Sequence, residues 1–207
     1  VWDFYDGQLT LGLVPEAFRF ERVKMLQEGI RFAAMIHVKD VATHVGYMPE
    51  NPYDPNYAGV LVCLKELVKQ CKENGQNFLF ETGQETPVTL KRAIQDIEKE
   101  LGKGNVGINL DPANLVMYGK ANPVDALEVF GEYVMGIHGK DGKYPTDGHM
   151  LGDEVPLGQG KVNYPAFVAK LKEIGYAGDI TIEREISGEE QKKDIVMAKA
   201  VLDELLK

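Results

Sequence analysis

Val106-Gly107-Ile108-Asn109-Leu110-Asp111 is a short, largely apolar run that ends on a carboxylate. It reads as a strand buried on both faces, as in parallel sheets covered by helices. The arrangement recurs three times: Phe78-Leu79-Phe80-Glu81, Val134-Met135-Gly136-Ile137-His138 and Ile180-Thr181-Ile182-Glu183. Each run is followed by a loop and a helical pattern. Charged groups at the C-terminal ends of successive parallel strands are how a (β/α)8 barrel assembles an active site. Glu81, Asp111, His138 and Glu183 form an oxygen-rich donor set with one imidazole. That set suits one divalent metal ion, namely Mn2+, Mg2+, Co2+ or Zn2+. The competing reading is a structural ion-pair cluster with Lys140 or Arg184.

Turn and cap residues divide the rest of the chain regularly. Residues 40–45 read as a strand ending near His44. Residues 56–74 read as a helix with Tyr57, Val60, Leu61, Leu64, Leu67, Val68 and Cys71 on one face and Gly75 as its left-handed cap. Thr86-Pro87 and Asn122-Pro123 each pair an N-cap with a proline at the first helical position. The first opens a helix carrying Leu90, Ile94, Ile97 and Leu101 that stops at Gly102. The second opens one carrying Ala126, Leu127, Val129 and Phe130. Residues 165–174, closed by Gly175, and 189–206 complete the helices. A further helix over 16–36 ends at His37 where a glycine is expected. Histidine tolerates the left-handed region better than most residues, so His37 reads as a cap and not as a catalytic group. Residues 139–162 read as one long, glycine-rich loop of the kind that is functional or mobile.

Strands and helices therefore alternate with a period of roughly 30 residues. With an opening strand at 1–5 there are about six strands. An eight-stranded barrel needs two more βα units, roughly 60 residues. The expectation is a single barrel domain over residues 1–207 without its first two βα units, either cropped or completed by a partner chain; a homo-oligomer remains open.

The chain has 207 residues, 44% hydrophobic and 27% charged, with net charge −9. That is ordinary for one globular domain. The acidic balance argues against a nucleic-acid partner. No apolar run reaches the roughly 18 residues of a membrane span. The first residues lack the basic region of a signal peptide. Cys63 and Cys71 fall on one helix, roughly 12 Å apart along its axis, too far to bridge. Two unbridged thiols fit a cytoplasmic protein.

Further candidates surround the four strand ends. In His138-Gly139-Lys140-Asp141, strand alternation points His138 and Lys140 the same way. Lys140 either holds a phosphate or oxyanion, or pairs with Asp141, Glu183 or Glu185. Glu183-Arg184-Glu185 places two carboxylates on one face, one for a metal and one for a cation. His44 is a substrate-binding candidate, with a buried, hydrogen-bonded imidazole as the alternative. Asn114, on the loop after Asp111, is placed to bond a substrate hydroxyl. Trp2, with Tyr5, either walls a sugar face or packs in the core.

These residues carry a resemblance. The chain resembles the sugar phosphate isomerase/epimerase family, the TIM barrels similar to xylose isomerase and endonuclease IV. The resemblance runs through His44-Val45-Gly46, Glu81-Thr82-Gly83, Asp111-Pro112-Ala113-Asn114, His138-Gly139-Lys140-Asp141, Gly158-Gln159-Gly160-Lys161-Val162 and Gly175-Tyr176-Ala177-Gly178 before Glu183. It implies that Glu81, Asp111, His138 and Glu183 bind one divalent metal, that the two glutamates are also a proton-transfer pair, and that the first two strands are absent. Two departures weigh against a simple ketose 3-epimerase. Asn114 stands where those enzymes place a histidine, and Lys140 is the cation nearest their arginine.

The expected function is a metal-dependent isomerase or epimerase of a sugar, sugar phosphate or polyol derivative, transferring a proton next to a chelated carbonyl. The alternatives are a dehydratase of a keto-polyol or dehydroshikimate-like acid on the same metal site, and a non-catalytic sugar- or metal-binding barrel. A phosphodiesterase acting on abasic DNA is disfavoured by the acidic charge and by only four histidines.

Overall fold

The computed structural model describes residues 4–5, 8–9 and 12–207. The chain divides into two compact units, Val1–Ile108 and Asn109–Lys207.

In the first unit, β1 (Phe4–Tyr5) pairs antiparallel with β2 (Gln8–Leu9). Of the opening strand expected at 1–5, the described part, Phe4–Tyr5, is one arm of this antiparallel hairpin. Helix α1 (Glu16–Met35) buries only Arg22 and Ile30 and leaves Phe20, Phe32 and Met35 exposed. It closes at His37, whose φ of 60° is the left-handed geometry expected there. Gly12 has φ 70°, and a Cβ on it would lie 2.1 Å from the Val45 carbonyl. Only glycine permits that approach, which lets Leu13 N donate to Val45 O at 2.9 Å.

Strand β3 (Asp40–Thr43) pairs parallel with β4 (Asn77–Glu81), from Asp40 opposite Asn77 to Thr43 opposite Phe80. Phe78, Leu79 and Phe80 are all buried, as a strand covered on both faces requires. Between them runs α2 (Pro55–Glu73), whose N-cap Asp54 accepts from Asn56 N at 2.8 Å. Its buried face is Tyr57, Val60, Leu64, Leu67, Val68 and Cys71, with Leu61 half-buried. Gly75 turns the chain at φ 72°. Helix α3 (Pro87–Leu101) buries Leu90, Ile94 and Ile97 and ends at Gly102 with φ 78°. The Thr86 side chain contacts the Thr89 hydroxyl at 2.9 Å in place of a capping bond.

Strand β5 (Val106–Leu110) runs from the first unit into the second and is buried throughout. In the second unit follow α4 (Pro112–Met117), α5 (Pro123–Phe130) and β6 (Val134–Gly139). Asn122 caps α5 through Val124 N at 2.8 Å. Strand β6 pairs parallel with β9 (Ile180–Ile182), His138 opposite Thr181. The intervening α6 (Tyr164–Glu173) closes at Gly175, and α7 (Glu189–Leu206) buries Ala198 and Leu202.

The segment after His138 differs from the expected loop. It holds a small antiparallel hairpin, β7 (Asp141–Gly142) with β8 (Glu154–Val155). The buried Asp141 carboxylate then gathers the remainder. Its Oδ1 accepts from Gly142 N and Val162 N, and its Oδ2 from Gly158 N and Gly160 N, at 2.8–3.1 Å. A Cβ on Gly160 would sit 2.1 Å from Asp141 Oδ1, so the wrap needs glycine there. Among the described residues, no helix is long and apolar enough to cross a membrane.

Candidate metal centre

Asp111 follows β5 and caps α4. As N-cap, its Oδ1 accepts from Asn114 N at 2.9 Å. This leaves Oδ2 facing His138 Nδ1 at 3.5 Å and Lys140 Nζ at 3.6 Å. Asp111 is fully buried. Burial pushes its carboxyl up, against the pull of His138, Lys140 and the Asn114 N–H.

His138 lies on β6 with its ring between two groups. Nδ1 is 3.1 Å from Glu183 Oε2, and Nε2 is 3.0 Å from Asn109 Nδ2. Glu183 follows β9, where its N–H extends the ladder to Gly139 O at 3.2 Å. The His138 hydrogen bond and the charge of Lys140 outweigh burial and pull Glu183 down to about 2. It is a carboxylate at neutral pH.

Lys140 is only 2% exposed. Its ammonium lies 2.6 Å from Glu185 Oε2 and 3.3 Å from Glu183 Oε2. Burial works against that charge, but Asp111, Glu185 and Glu183 prevail and raise its pKa above the ordinary lysine value. Of the partners considered for Lys140, the structure selects Glu183 and Glu185, because Asp141 is taken by backbone donors. The Tyr164 hydroxyl donates to Lys140 O at 2.8 Å and braces the strand end. Arg184 turns away, donating to Glu154 at 2.9 Å and Asp194 at 2.8 Å, so it does not join the carboxylate cluster. Glu154 also accepts from Glu185 N at 3.1 Å.

Asp111, His138 and Glu183 each offer a ligand atom, and these lie within 4.8 Å of one another. Metal bonds of ~2.0–2.2 Å place neighbouring donors ~3–4 Å apart. The observed 3.1 and 3.5 Å separations, with two carboxylates and one imidazole, fit a divalent cation.

In the first unit, Glu81 ends β4 with Oε1 3.6 Å from His44 Nε2. His44 is buried just past β3. Asn114 is buried in the first turn of α4, not on a loop as expected, because Asp111-Pro112 starts a helix at once. Trp2 lies outside the described residues. His37 is exposed at the end of α1 and takes no part.

Two residues escaped the sequence reading, Asn109 behind His138 and Glu154 on β8, and Asp141, read there as a possible Lys140 partner, instead organises the loop through backbone N–H groups. Asn109 alone had a local signal, as a polar residue two positions before Asp111 within a buried strand.

Comparison with known proteins agrees with this architecture. A xylose isomerase domain protein from Planctomyces limnophilus is 37% identical, with TM-score 0.84 over 95% of this chain and 68% of its own. A D-tagatose 3-epimerase-like protein is 26% identical, with TM-score 0.72 over 99% of this chain and 75% of its own. An uncharacterized protein of Methanocaldococcus jannaschii is 29% identical over 97% of this chain and 67% of its own length. The family model described as a xylose isomerase-like TIM barrel matches residues 3–205. That match spans nearly every strand and helix described above, and it makes the chain a member of the xylose isomerase-like TIM barrel family.

Proposed function

We propose that this chain carries the centre of a divalent-metal-dependent isomerase or epimerase acting on a sugar or polyol derivative. The observation that carries this reading is the meeting of Asp111, His138 and Glu183 within bonding range of one cation, with Lys140 buried against them. Glu81, which ends β4 as Asp111 follows β5, is the fourth donor of the proposed site. A bound divalent ion polarises a carbonyl and acidifies the neighbouring C–H. The chain's own groups move the proton. Glu183 is ionised in the resting state and accepts that proton, and Glu81 gives a different proton of its own to the carbanion; both glutamates then exchange protons with solvent to reset, or the two roles are exchanged. His44 beside Glu81, and Asn114 and Glu185 beside the metal ligands, bind substrate hydroxyls in this reading. Lys140 is already paired with carboxylates, which favours a neutral polyol over a phosphorylated one.

A dehydratase of a keto-polyol begins with the same proton abstraction. The observation favouring it is Lys140, a cation 3.3 Å from Glu183 that is able to hydrogen-bond a departing hydroxyl and stabilise its negative charge. Product analysis separates the two reactions.

The test is incubation with candidate sugars and Mn2+ in deuterated water. Wild type should place deuterium on the carbon next to the carbonyl, and Glu183→Gln should not. Deuterium uptake by Glu183→Gln at the wild-type rate would remove Glu183 from the proton transfer.

A further inference from the structure

Behind the proposed ligands stands a residue with no part in the chemistry above. Asn109 is buried on β5, two positions before Asp111, and its Nδ2 lies 3.0 Å from His138 Nε2. The opposite nitrogen of that ring, Nδ1, is the one that faces Glu183 and Asp111. His138 is therefore clamped between an amide and a carboxylate pair.

A neutral imidazole has one N–H to place. An Asn109 NH2 directed at Nε2 requires that nitrogen to accept, which puts the proton of a neutral ring on Nδ1, toward the carboxylates. In this tautomer Nδ1 has no lone pair to give. To ligate through Nδ1, the ring must carry its proton on Nε2, and a ligating histidine donates that N–H to an acceptor. An asparagine amide holds a donor and an acceptor on one planar end of nearly the same shape. It is able to serve either tautomer by turning over. Gly136 on β6 makes this close packing possible, because a Cβ there would lie 2.6 Å from Asn109 Oδ1.

We infer that Asn109 is a positioning residue that sets which ring nitrogen of His138 carries the proton. It offers Nδ2 to Nε2 when Nδ1 faces the carboxylates alone, and Oδ1 when a divalent cation occupies Nδ1. Only this second half rests on the proposed metal site.

The experiment reads the His138 ring nitrogens by 15N NMR, with and without Mg2+ or Zn2+, and metal affinity by calorimetry. Wild type, Asn109→Asp, Asn109→Leu and Gly136→Ala are compared. In metal-free wild type, Nε2 should give an acceptor-type signal that becomes donor-type on metal addition. Asn109→Asp offers only acceptors at Nε2. It should show the donor-type signal before metal is added and keep affinity close to wild type. Asn109→Leu should abolish the wild-type signal pattern and bind metal roughly 10- to 100-fold more weakly. Gly136→Ala, which displaces Asn109, should shift both readings the same way as Asn109→Leu.

Wild-type Nε2 signals in both Asn109 variants would overturn the inference. So would unchanged metal affinity in Asn109→Leu when wild type binds metal. If wild type binds no metal, the metal reading fails and the metal-free spectra still decide: a proton moved onto Nε2 by Asn109→Asp supports the role of Asn109, and an unmoved one overturns it.

Discussion

Lys140 shows how much electrostatic work one side chain does in this chain. Its ammonium is buried against Asp111, Glu183 and Glu185, and two of those carboxylates are proposed metal ligands. Removing one partner of a buried ion pair costs about 3–5 kcal/mol when the remaining charge stays buried; here that holds for Asp111, whereas Glu183 and Glu185 reach water and soften the loss. Lys140→Met should therefore lower the melting temperature of metal-free protein markedly. A divalent ion restores positive charge at Asp111 and Glu183, so Mn2+ should raise the melting temperature of Lys140→Met more than that of wild type. Equal shifts in the two proteins would show that lysine and metal do not share these carboxylates. Glu183 gives a second prediction, in acid. Its folded pKa is about 2 against an ordinary 4.5. A depressed carboxylate pKa contributes stability that is fully present above the unfolded value and is lost as pH falls through the folded one. Urea midpoints of the metal-free protein should thus decline below pH ~4.5 and on toward ~2. Glu183→Gln should flatten that part of the slope. A variant that keeps the wild-type slope there would assign the acid sensitivity to other groups.

At the scale of elements, the segment from Gly139 to Val162 is organised by a single buried carboxylate. Asp141 accepts four backbone N–H bonds, from Gly142, Gly158, Gly160 and Val162. Leaving a buried donor unsatisfied costs roughly 1–3 kcal/mol. Asp141→Asn keeps the shape but turns an NH2 toward two of those donors. It should lose ~2 kcal/mol or more and speed amide exchange at 158–162 while leaving α3 protected. Unchanged exchange at those amides would mean that the β7–β8 hairpin holds the segment by itself. This element also marks a limit of what sequence conveys. Caps written within a few residues were legible: Asn122 before Pro123, Gly75 and Gly102 after their helices, and His37 in the left-handed region without a glycine. Three of the four Asp141 contacts reach 17 to 21 residues along the chain, and no periodicity encodes them. Asn114 was misplaced for a related reason. Asp111-Pro112 is both a strand end and a helix start, and a reading occupied with the carboxylate as a ligand passed over its capping role. The strand ends Asp111, His138 and Glu183 were legible because a charge closing an apolar run stands out against a buried strand.

At the scale of the molecule, the four donors nominated by the strand-end pattern of the sequence are divided between the two compact units. Glu81 belongs to the first, and Asp111, His138 and Glu183 belong to the second. An ion that binds only the folded state stabilises it by RT ln(1 + [L]/Kd), about 2.7 kcal/mol at 100 times Kd. If Glu81 contributes a donor, that stabilisation is shared between units. If it does not, only the second unit gains. Hydrogen exchange distinguishes these cases, since protection is resolved element by element. With Mn2+ added, wild type should gain protection in both β4 and β6. Glu81→Gln should lose the gain in β4 and retain a smaller one in β6, where three donors remain. Glu183→Gln should lose most of both. A gain confined to β6 in wild type would show that the ion is held by the second unit alone. Glu81 would then be left with His44 as its neighbour, free of metal, and better suited to act as the base.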